Sequence, residues 1–329
     1  TAFLAAHGWG RVMPAPLAAD ASFRRYYRLS DGARRVVLMD APPPLEDVRP
    51  YVAVAGILRD LGLSAPQIHA EDPLQGFLLI EDFGDDSYTR LLAAGADERD
   101  LYALAVDALV ALHRAVGAAG PPAVPSYDTA RLLAEADLLV EWYAPAILGA
   151  ALPPATCEDY RARWRDVLCD AAPGAPTLVL RDYHVDNLML LPGRDGVRRV
   201  GLLDFQDAVL GAAGYDLVSL LDDARRDVPP ALRQAMTERY LAAFPALDPA
   251  PFLRAAAILS AQRSCKILGI FTRLWRRDGK PAYLTHIPRV WRLLAEAVQR
   301  EPALVPIGEW LDQHLPARLR HAPQVRSAA

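Results

Sequence analysis

Leu178-Val179-Leu180-Arg181-Asp182-Tyr183-His184-Val185-Asp186-Asn187-Leu188-Met189-Leu190 is the stretch that decides how this chain is read. Two apolar, strand-like segments bracket six residues dense in acid, amide and imidazole. Such a bracket presents side chains from a short loop held on a rigid support. The apolar run from Thr177 to Leu191 is followed by a turn at Pro192 to Gly196 and a second run, Val200 to Phe205, which reads as the returning arm of a hairpin. That arm ends in Leu203-Asp204-Phe205-Gln206, placing an acid 22 residues after Asp182, far enough for the hairpin to fold it back.

Phosphoryl transfer needs such a set. One acid orients the acceptor hydroxyl and takes its proton; an amide oxygen and a second carboxylate hold Mg²⁺ against the nucleotide phosphates. In protein kinases these are an Asp, the Asn five residues later, and the Asp that opens the D-F-G segment. Asp182 and Asn187 are five apart and Asp204-Phe205-Gln206 takes the third place, so Asp182 is the candidate catalytic residue and Asn187 and Asp204 the candidate metal ligands. All three offer the hard oxygens that Mg²⁺ prefers. Asp182, His184 and Asp186 also form D-x-H-x-D, which on an extended strand could ligate a transition metal for hydrolysis. That alternative leaves Asn187 and Asp204-Phe205 without a role. His69 and His113 stand singly and read as surface or packed residues.

Outward from this island, the chain divides by pattern. Toward the amino terminus, Ala21 to Leu29 and Arg35 to Met39 flank Ser30-Asp31-Gly32 and form a hairpin. Val48 to Leu61 has helical spacing and ends at Gly62, and Pro66 to Ala70 and Gly76 to Ile80 are further strands. From Asp86 the pattern turns helical: Asp97 to Val116, Thr129 to Leu148, Thr156 to Ala171, Pro230 to Phe244, Pro249 to Trp275 and Pro281 to Gln299. The expected fold is α+β and two-lobed. A small antiparallel β lobe, residues 1–83, binds nucleotide, and a larger, mainly helical lobe, residues 84–329, carries catalysis and the acceptor. Residues 316 to 329 read as a frayed tail.

Composition narrows the class. Of 329 residues, 52% are hydrophobic and 23% charged, which excludes a wholly disordered chain. A net charge of −4 argues against a nucleic-acid partner. Cys157, Cys169 and Cys265 are an odd, widely spaced set that forms neither a disulfide framework nor a zinc ribbon. No unbroken apolar run has the length of a membrane span, and the first residues lack the pattern of a signal peptide. A monomer in the cytoplasm, with no membrane partner, is expected. Of the 36 basic residues only Lys266 and Lys280 are lysines, so the first 265 positions have none.

On these residues the chain resembles the aminoglycoside phosphotransferase and choline kinase branch of the protein-kinase-like fold. There the catalytic loop reads H-G-D-x-x-x-x-N, where this chain has Leu180-Arg181-Asp182 and Asn187. The metal segment reads I-D-[WF]-E, where it has Leu203-Asp204-Phe205-Gln206; Tyr215-Asp216-Leu217 matches a further motif, in which Asp216 reads as structural. A resemblance over nearly the whole chain is to bacterial anomeric kinases of N-acetylmuramate and N-acetylglucosamine. It rests on Asp20-Ala21-Ser22-Phe23-Arg24-Arg25-Tyr26, Val37 to Pro43, Leu78 to Asp85, Trp142-Tyr143, Arg181 to His184, and Gln262-Arg263 through Asp278-Gly279-Lys280. It implies an ATP- and Mg²⁺-dependent kinase that makes a sugar 1-phosphate for cell-wall recycling. Kinases of aminoglycosides, choline or another sugar, and a nucleotide-binding pseudokinase, are the alternatives.

The resemblance also assigns roles. Glu81 to Gly84 is the hinge that binds adenine through its backbone, with Met39 against the ring and Phe83 nearby. Ser22 and Phe23 cover the phosphates in a loop without glycine. His184 is an acceptor contact or a structural residue; Arg263 and Lys266 are candidate acceptor contacts from a long helix whose polar set, with Gln262, Arg273, Arg276 and Arg277, either forms an exposed stripe or meets an anionic group. Trp142 and Tyr143 offer flat faces to a sugar, or belong to the core. The chain departs from kinases at Met39, which stands where a small-lobe lysine belongs, and in the following helix, which has no Glu in its body; Glu46 precedes it. The missing cation falls to Arg24, Arg25 or Arg28, whose guanidinium forks suit phosphate.

Overall fold

The computed structural model describes residues 2–17, 23–32 and 34–324. From the amino terminus the elements are α1 (Ala2–Ala6), β1 (Ala15–Pro16), β2 (Arg25–Ser30), β3 (Arg35–Asp40), α2 (Arg49–Asp60), β4 (Ile68–Asp72), β5 (Phe77–Glu81), α3 (Tyr88–Ala93) and α4 (Glu98–Ala119). Then come α5 (Thr129–Ala136), a π-helical turn (Leu139–Tyr143), α6 (Ala144–Leu148), α7 (Pro154–Leu168), β6 (Thr177–Val179), β7 (Leu188–Leu190), β8 (Val200–Leu202) and β9 (Val209–Gly211). Helices α8 (Gly214–Leu221), α9 (Pro230–Ala242), α10 (Pro249–Arg276), α11 (Ile287–Arg300) and α12 (Val305–His314) complete the order. Contacts divide the chain into two compact units, residues 1–122 with 180–208, and residues 123–179 with 209–329.

The first unit is built on a five-stranded antiparallel sheet in the order β1-β2-β3-β5-β4. The expected hairpin pairs Arg25 with Asp40 through Ser30 with Arg35. Alternation along β3 sends Val36 and Leu38 to one face, where they join Phe3, Leu4, Trp9, Leu29 and Leu79 in one apolar cluster. Val37 and Met39 take the other face and are also buried, as suits a central strand. Helix α2 buries Tyr51, Val54, Ala55 and Leu58, a three- and four-residue spacing that makes one apolar stripe.

The lobe boundary expected after residue 83 falls inside this unit, because the polar hairpin is bonded to the sheet's own connections. Strands β7 and β8 pair Leu188 with Leu202 and Leu190 with Val200. Ser64, just after α2, donates its hydroxyl to Arg198 O at 2.7 Å and accepts from Leu202 N at 2.8 Å. Leu190 N donates to Asp86 O at 2.8 Å. Gly201 is needed here, since a Cβ would stand 2.7 Å from the ring of Phe83. Helix α4 has an 18-residue window apolar enough to cross a membrane, but that face is core: Leu101, Tyr102, Ala105, Val106, Leu109 and Leu112 are buried.

The apolar run from Thr177 to Leu191 is not one strand. It breaks after Val179, and its halves take different partners, β6 pairing with β9 and β7 with β8.

The second unit is organised by α10, whose middle is buried on every side from Ala255 to Leu274 with few gaps. The single helix expected over Thr129 to Leu148 is instead interrupted by the π-helical turn, which packs against α10 at Gly269. There an added Cβ would lie 2.3 Å from the carbonyl carbon and oxygen of Leu138. The tail is tied down as far as it is described: the Tyr143 hydroxyl, with one proton to donate, lies 2.7 Å from Leu319 O and 2.9 Å from His321 O, and Arg320 lies over the ring of Trp291 at 5.2 Å. Tyr143 is thus a core residue.

Candidate active site

The site lies within the first unit. Asp182 N donates to Leu180 O at 2.9 Å across Arg181, whose φ is +71°. This is a γ-turn with a positive central φ, a strained conformation for a residue with a side chain. It ends the β6 segment and turns Asp182 out of strand geometry. Tyr183 then anchors the loop, donating its hydroxyl to Ala105 O of α4 at 2.8 Å. A 3₁₀ turn over Val185–Asn187, closed by Asn187 N on His184 O at 2.9 Å, carries the chain into β7. Asp186 accepts a short hydrogen bond from the Thr89 hydroxyl.

Asn187 joins the three expected residues. Its Nδ2 donates to Asp182 O at 3.0 Å, and the same nitrogen is 3.4 Å from His184 Nε2. Its backbone carbonyl accepts from Leu203 N at 3.0 Å, the residue before Asp204. With the amide nitrogen donating to Asp182 O, the amide oxygen is the atom of Asn187 with the chemistry of a hard donor. Asp204 is the second non-glycine residue with positive φ, +55°. Its Oδ1 accepts from Arg24 at 2.8 Å and from Gln206 Nε2 at 3.0 Å. Phe205 packs on Tyr51 of α2 at 4.7 Å between ring centroids. A carboxylate and an amide oxygen set by one hairpin are the donor chemistry of a small divalent cation.

Arg24 precedes β2 and is 9% exposed. Burial opposes its charge, but Tyr26, Asp204 and Glu46 outweigh it and hold its pKa above the ordinary arginine value. Arg28 is engaged elsewhere. It donates to Asp85 at 2.9 Å, to Gly84 O at 3.0 Å and to Asp82 at 3.0 Å. Arg35 adds a second guanidinium to Asp82 at 3.2 Å. The Arg28 guanidinium also holds the Asp85 carboxyl below the usual carboxylate range.

The remaining expected residues fall as follows. Ser22 lies outside the described residues. Phe23 is exposed and donates its N–H to Glu46 Oε1 at 3.1 Å. Met39 is buried in the central strand. Glu81 pairs with Arg194, whose guanidinium also sits 5.2 Å from the ring of Phe83.

Arg263 and Lys266 belong to the second unit and are core residues, each 4% exposed. Lys266 Nζ is 3.2 Å from Glu135 Oε2 and 3.4 Å from the Tyr215 hydroxyl. The cause is their place along the helix: the middle of α10 is enclosed all round, Gln262, Arg263 and Lys266 included, and of the basic residues singled out there Arg276 and Arg277, at its end, are the exposed ones. A basic stripe does not exist there. Glu46 and Gln206 were not singled out from the sequence as site residues; the position of Glu46 just before α2 was the one available signal.

The sequence profile of the "Phosphotransferase enzyme family" matches residues 15–253. The chain belongs to this family. Within it, the chain is 40% identical to the N-acetylmuramate/N-acetylglucosamine kinase of Caulobacter vibrioides, over 97% of this chain and 96% of that one. It is 43% identical to the protein of the same name from Pseudomonas aeruginosa, over 93% and 90%. Among solved structures it is similar to a choline kinase from Streptococcus pneumoniae, with a TM-score of 0.63 and 13% identity over 90% of this chain and 97% of that one. A gentamicin complex of an aminoglycoside phosphotransferase gives a TM-score of 0.60 and 15% identity, over 90% and 97%. The kinase-like phosphotransferase fold expected from the sequence is therefore the fold of this chain, and the chain is an enzyme of that family.

Proposed function

We propose that this phosphotransferase is an ATP- and Mg²⁺-dependent kinase that phosphorylates the anomeric hydroxyl of N-acetylmuramate and N-acetylglucosamine, giving the sugar 1-phosphate. The observation that carries the chemistry is the bonding of Asn187 to Asp182 O and to Leu203 N. It ties the candidate base and both candidate metal ligands to one rigid hairpin. The sugar is supported by relatives that bear that name at 40% and 43% identity.

In this reading residues 1–83 take the nucleotide, through the hinge at Glu81 to Gly84, Met39 and the segment from Ser22 to Arg24. Residues 84–329 take the acceptor. Asp182 accepts the proton of the anomeric hydroxyl as its oxygen bonds to the γ-phosphorus and the bond from that phosphorus to the β-phosphate oxygen breaks, leaving ADP. Asn187 Oδ1 and Asp204 are the ligands for Mg²⁺, which when bound neutralises phosphate charge. His184, buried beside Asn187, orients the acceptor. The three free thiols suit the cytoplasm, where the enzyme acts as a monomer on small molecules.

The test is ADP release with ATP and Mg²⁺ over a panel of N-acetylmuramate, N-acetylglucosamine, gentamicin and choline, with ³¹P NMR of the product. Turnover is expected with one or both sugars, with the phosphate on C1. Asp182→Asn is expected to lose about 10²–10⁴-fold in kcat with its fold unchanged. Turnover confined to gentamicin or choline would overturn the sugar assignment. No ADP with any acceptor would favour a binding-only pseudokinase, a reading to which the buried Met39 in place of a lysine lends support.

A further inference from the structure

Met39 is 1% exposed in the middle of the sheet, and α2 carries no Glu, its one acid being Asp60 at the carboxyl-terminal end. Both members of the small-lobe ion pair are thus absent from their usual elements. Arg28 is committed to Asp82, Asp85 and Gly84, and Arg25 is exposed. Arg24 is different. It is buried, its Nε is 3.9 Å from Glu46 Oε2 just before α2, and its NH2 is 2.8 Å from Asp204 Oδ1. Glu46 is itself fixed by the N–H of Phe23. A guanidinium therefore stands between an acid at the start of α2 and the carboxylate assigned to the metal, and it has two ends with which to do so.

We infer that Arg24 and Glu46 replace the missing lysine–glutamate pair, and that Arg24 occupies Asp204 until a divalent cation competes for that carboxylate. This rests on the reading of Asp204 as a metal ligand. A cation at Asp204 and a guanidinium at its Oδ1 repel one another, and the carboxylate holds both less well than either alone. On leaving Asp204, Arg24 keeps Glu46 as its anchor and turns its fork to the phosphates of the arriving nucleotide. Gln206, at 3.0 Å from the same oxygen, keeps Asp204 oriented through the exchange.

The experiment is Mn²⁺ binding followed by electron paramagnetic resonance, without nucleotide, on the full chain and on Arg24→Met and Asp204→Asn. Arg24→Met is expected to bind Mn²⁺ about tenfold or more tightly than the parent, the scale of one charge-assisted hydrogen bond, and to bind ATP more weakly. Asp204→Asn is expected to lose the site. Unchanged or weaker Mn²⁺ binding in Arg24→Met, with Asp204→Asn still inactive in binding, would overturn the exchange and leave the metal assignment standing. Mn²⁺ binding that survives Asp204→Asn would overturn the metal assignment itself. A second measurement is read on the parent protein: the ¹⁵N guanidinium signal of Arg24, assigned by its loss in Arg24→Lys, is expected to shift when Mg²⁺ is added. A signal that stays in place would also overturn the exchange.

Discussion

Lys266 stands 3.2 Å from Glu135, and both side chains are nearly closed to solvent. Glu135 also accepts a short hydrogen bond from the Tyr127 hydroxyl, and Tyr127 meets Tyr215 edge-on at 5.0 Å. The first lysine of the chain is thus a structural cation. Removing one partner of a buried pair leaves the other charge uncompensated, so Lys266→Met is expected to destabilise the protein by about 3–5 kcal/mol. Adding Glu135→Gln is expected to recover part of that loss. Urea melts of the parent and the two variants test this, and a loss below about 1 kcal/mol in Lys266→Met would refute it.

The contact between α10 and the π-helical turn rests on one glycine. An added Cβ at Gly269 would meet backbone atoms of Leu138 at 2.3 Å, and backbone cannot rotate away. Gly269→Ala is expected to cost about 3 kcal/mol, the upper range for overpacking. Gly56, exposed on α2 with no atom within 4 Å of an added Cβ, is the control. There alanine is expected to stabilise by about 0.5–1 kcal/mol, through helix propensity alone. Equal effects at both positions in thermal melts would show that close approach at Gly269 is not what matters.

These two positions mark where sequence reading stops. Periodicity located the hairpin at 25–40, helix α2 and most of α10 within a few residues, because local pattern and burial agree there. The spacing of Asp182, Asn187 and Asp204 was legible because a short loop and a hairpin bring them together through local geometry. Arg24 and Asp204 are 180 residues apart, and no periodicity links them. The break after Ala136 was hidden because the close approach that goes with it, Leu138 on Gly269, involves another helix. Lys266 read as an acceptor contact because its acid, Glu135, lies on another helix far away in sequence. The tail read as frayed because the groups that hold it, Tyr143 and Trp291, come from elsewhere.

The three cysteines should separate by burial. Burial pushes the Cys265 thiol up to about 12, despite its hydrogen bond with Tyr160, and Cys157 is raised for the same reason to a lesser degree. Cys169 is exposed. The thiolate is the reactive form, so at pH 8 a disulfide reagent is expected to titrate Cys169 first and Cys157 more slowly. Cys265 should react only when the protein unfolds. Three thiols reacting at one rate in the native state would contradict the buried position of Cys265.

Arg181 makes the last case. Relatives in the branch that the sequence resembles carry glycine before the catalytic Asp, and φ at Arg181 is +71°. A side chain in this region costs about 1–3 kcal/mol, whereas glycine adopts it freely but loses about 0.5–1 kcal/mol in chain entropy. The two terms leave a small net gain for Arg181→Gly, offset by lost contacts of the arginine. Arg181→Ala loses the same contacts and keeps the strain. The glycine variant is therefore expected to melt above the alanine variant by about 1 kcal/mol, and its KM and kcat to stay closer to the parent, because the γ-turn that aims Asp182 is preserved. If alanine proves the more stable of the two, the turn carries no strain at Arg181, and the geometry of Asp182 must be set by Tyr183 and Asn187 alone.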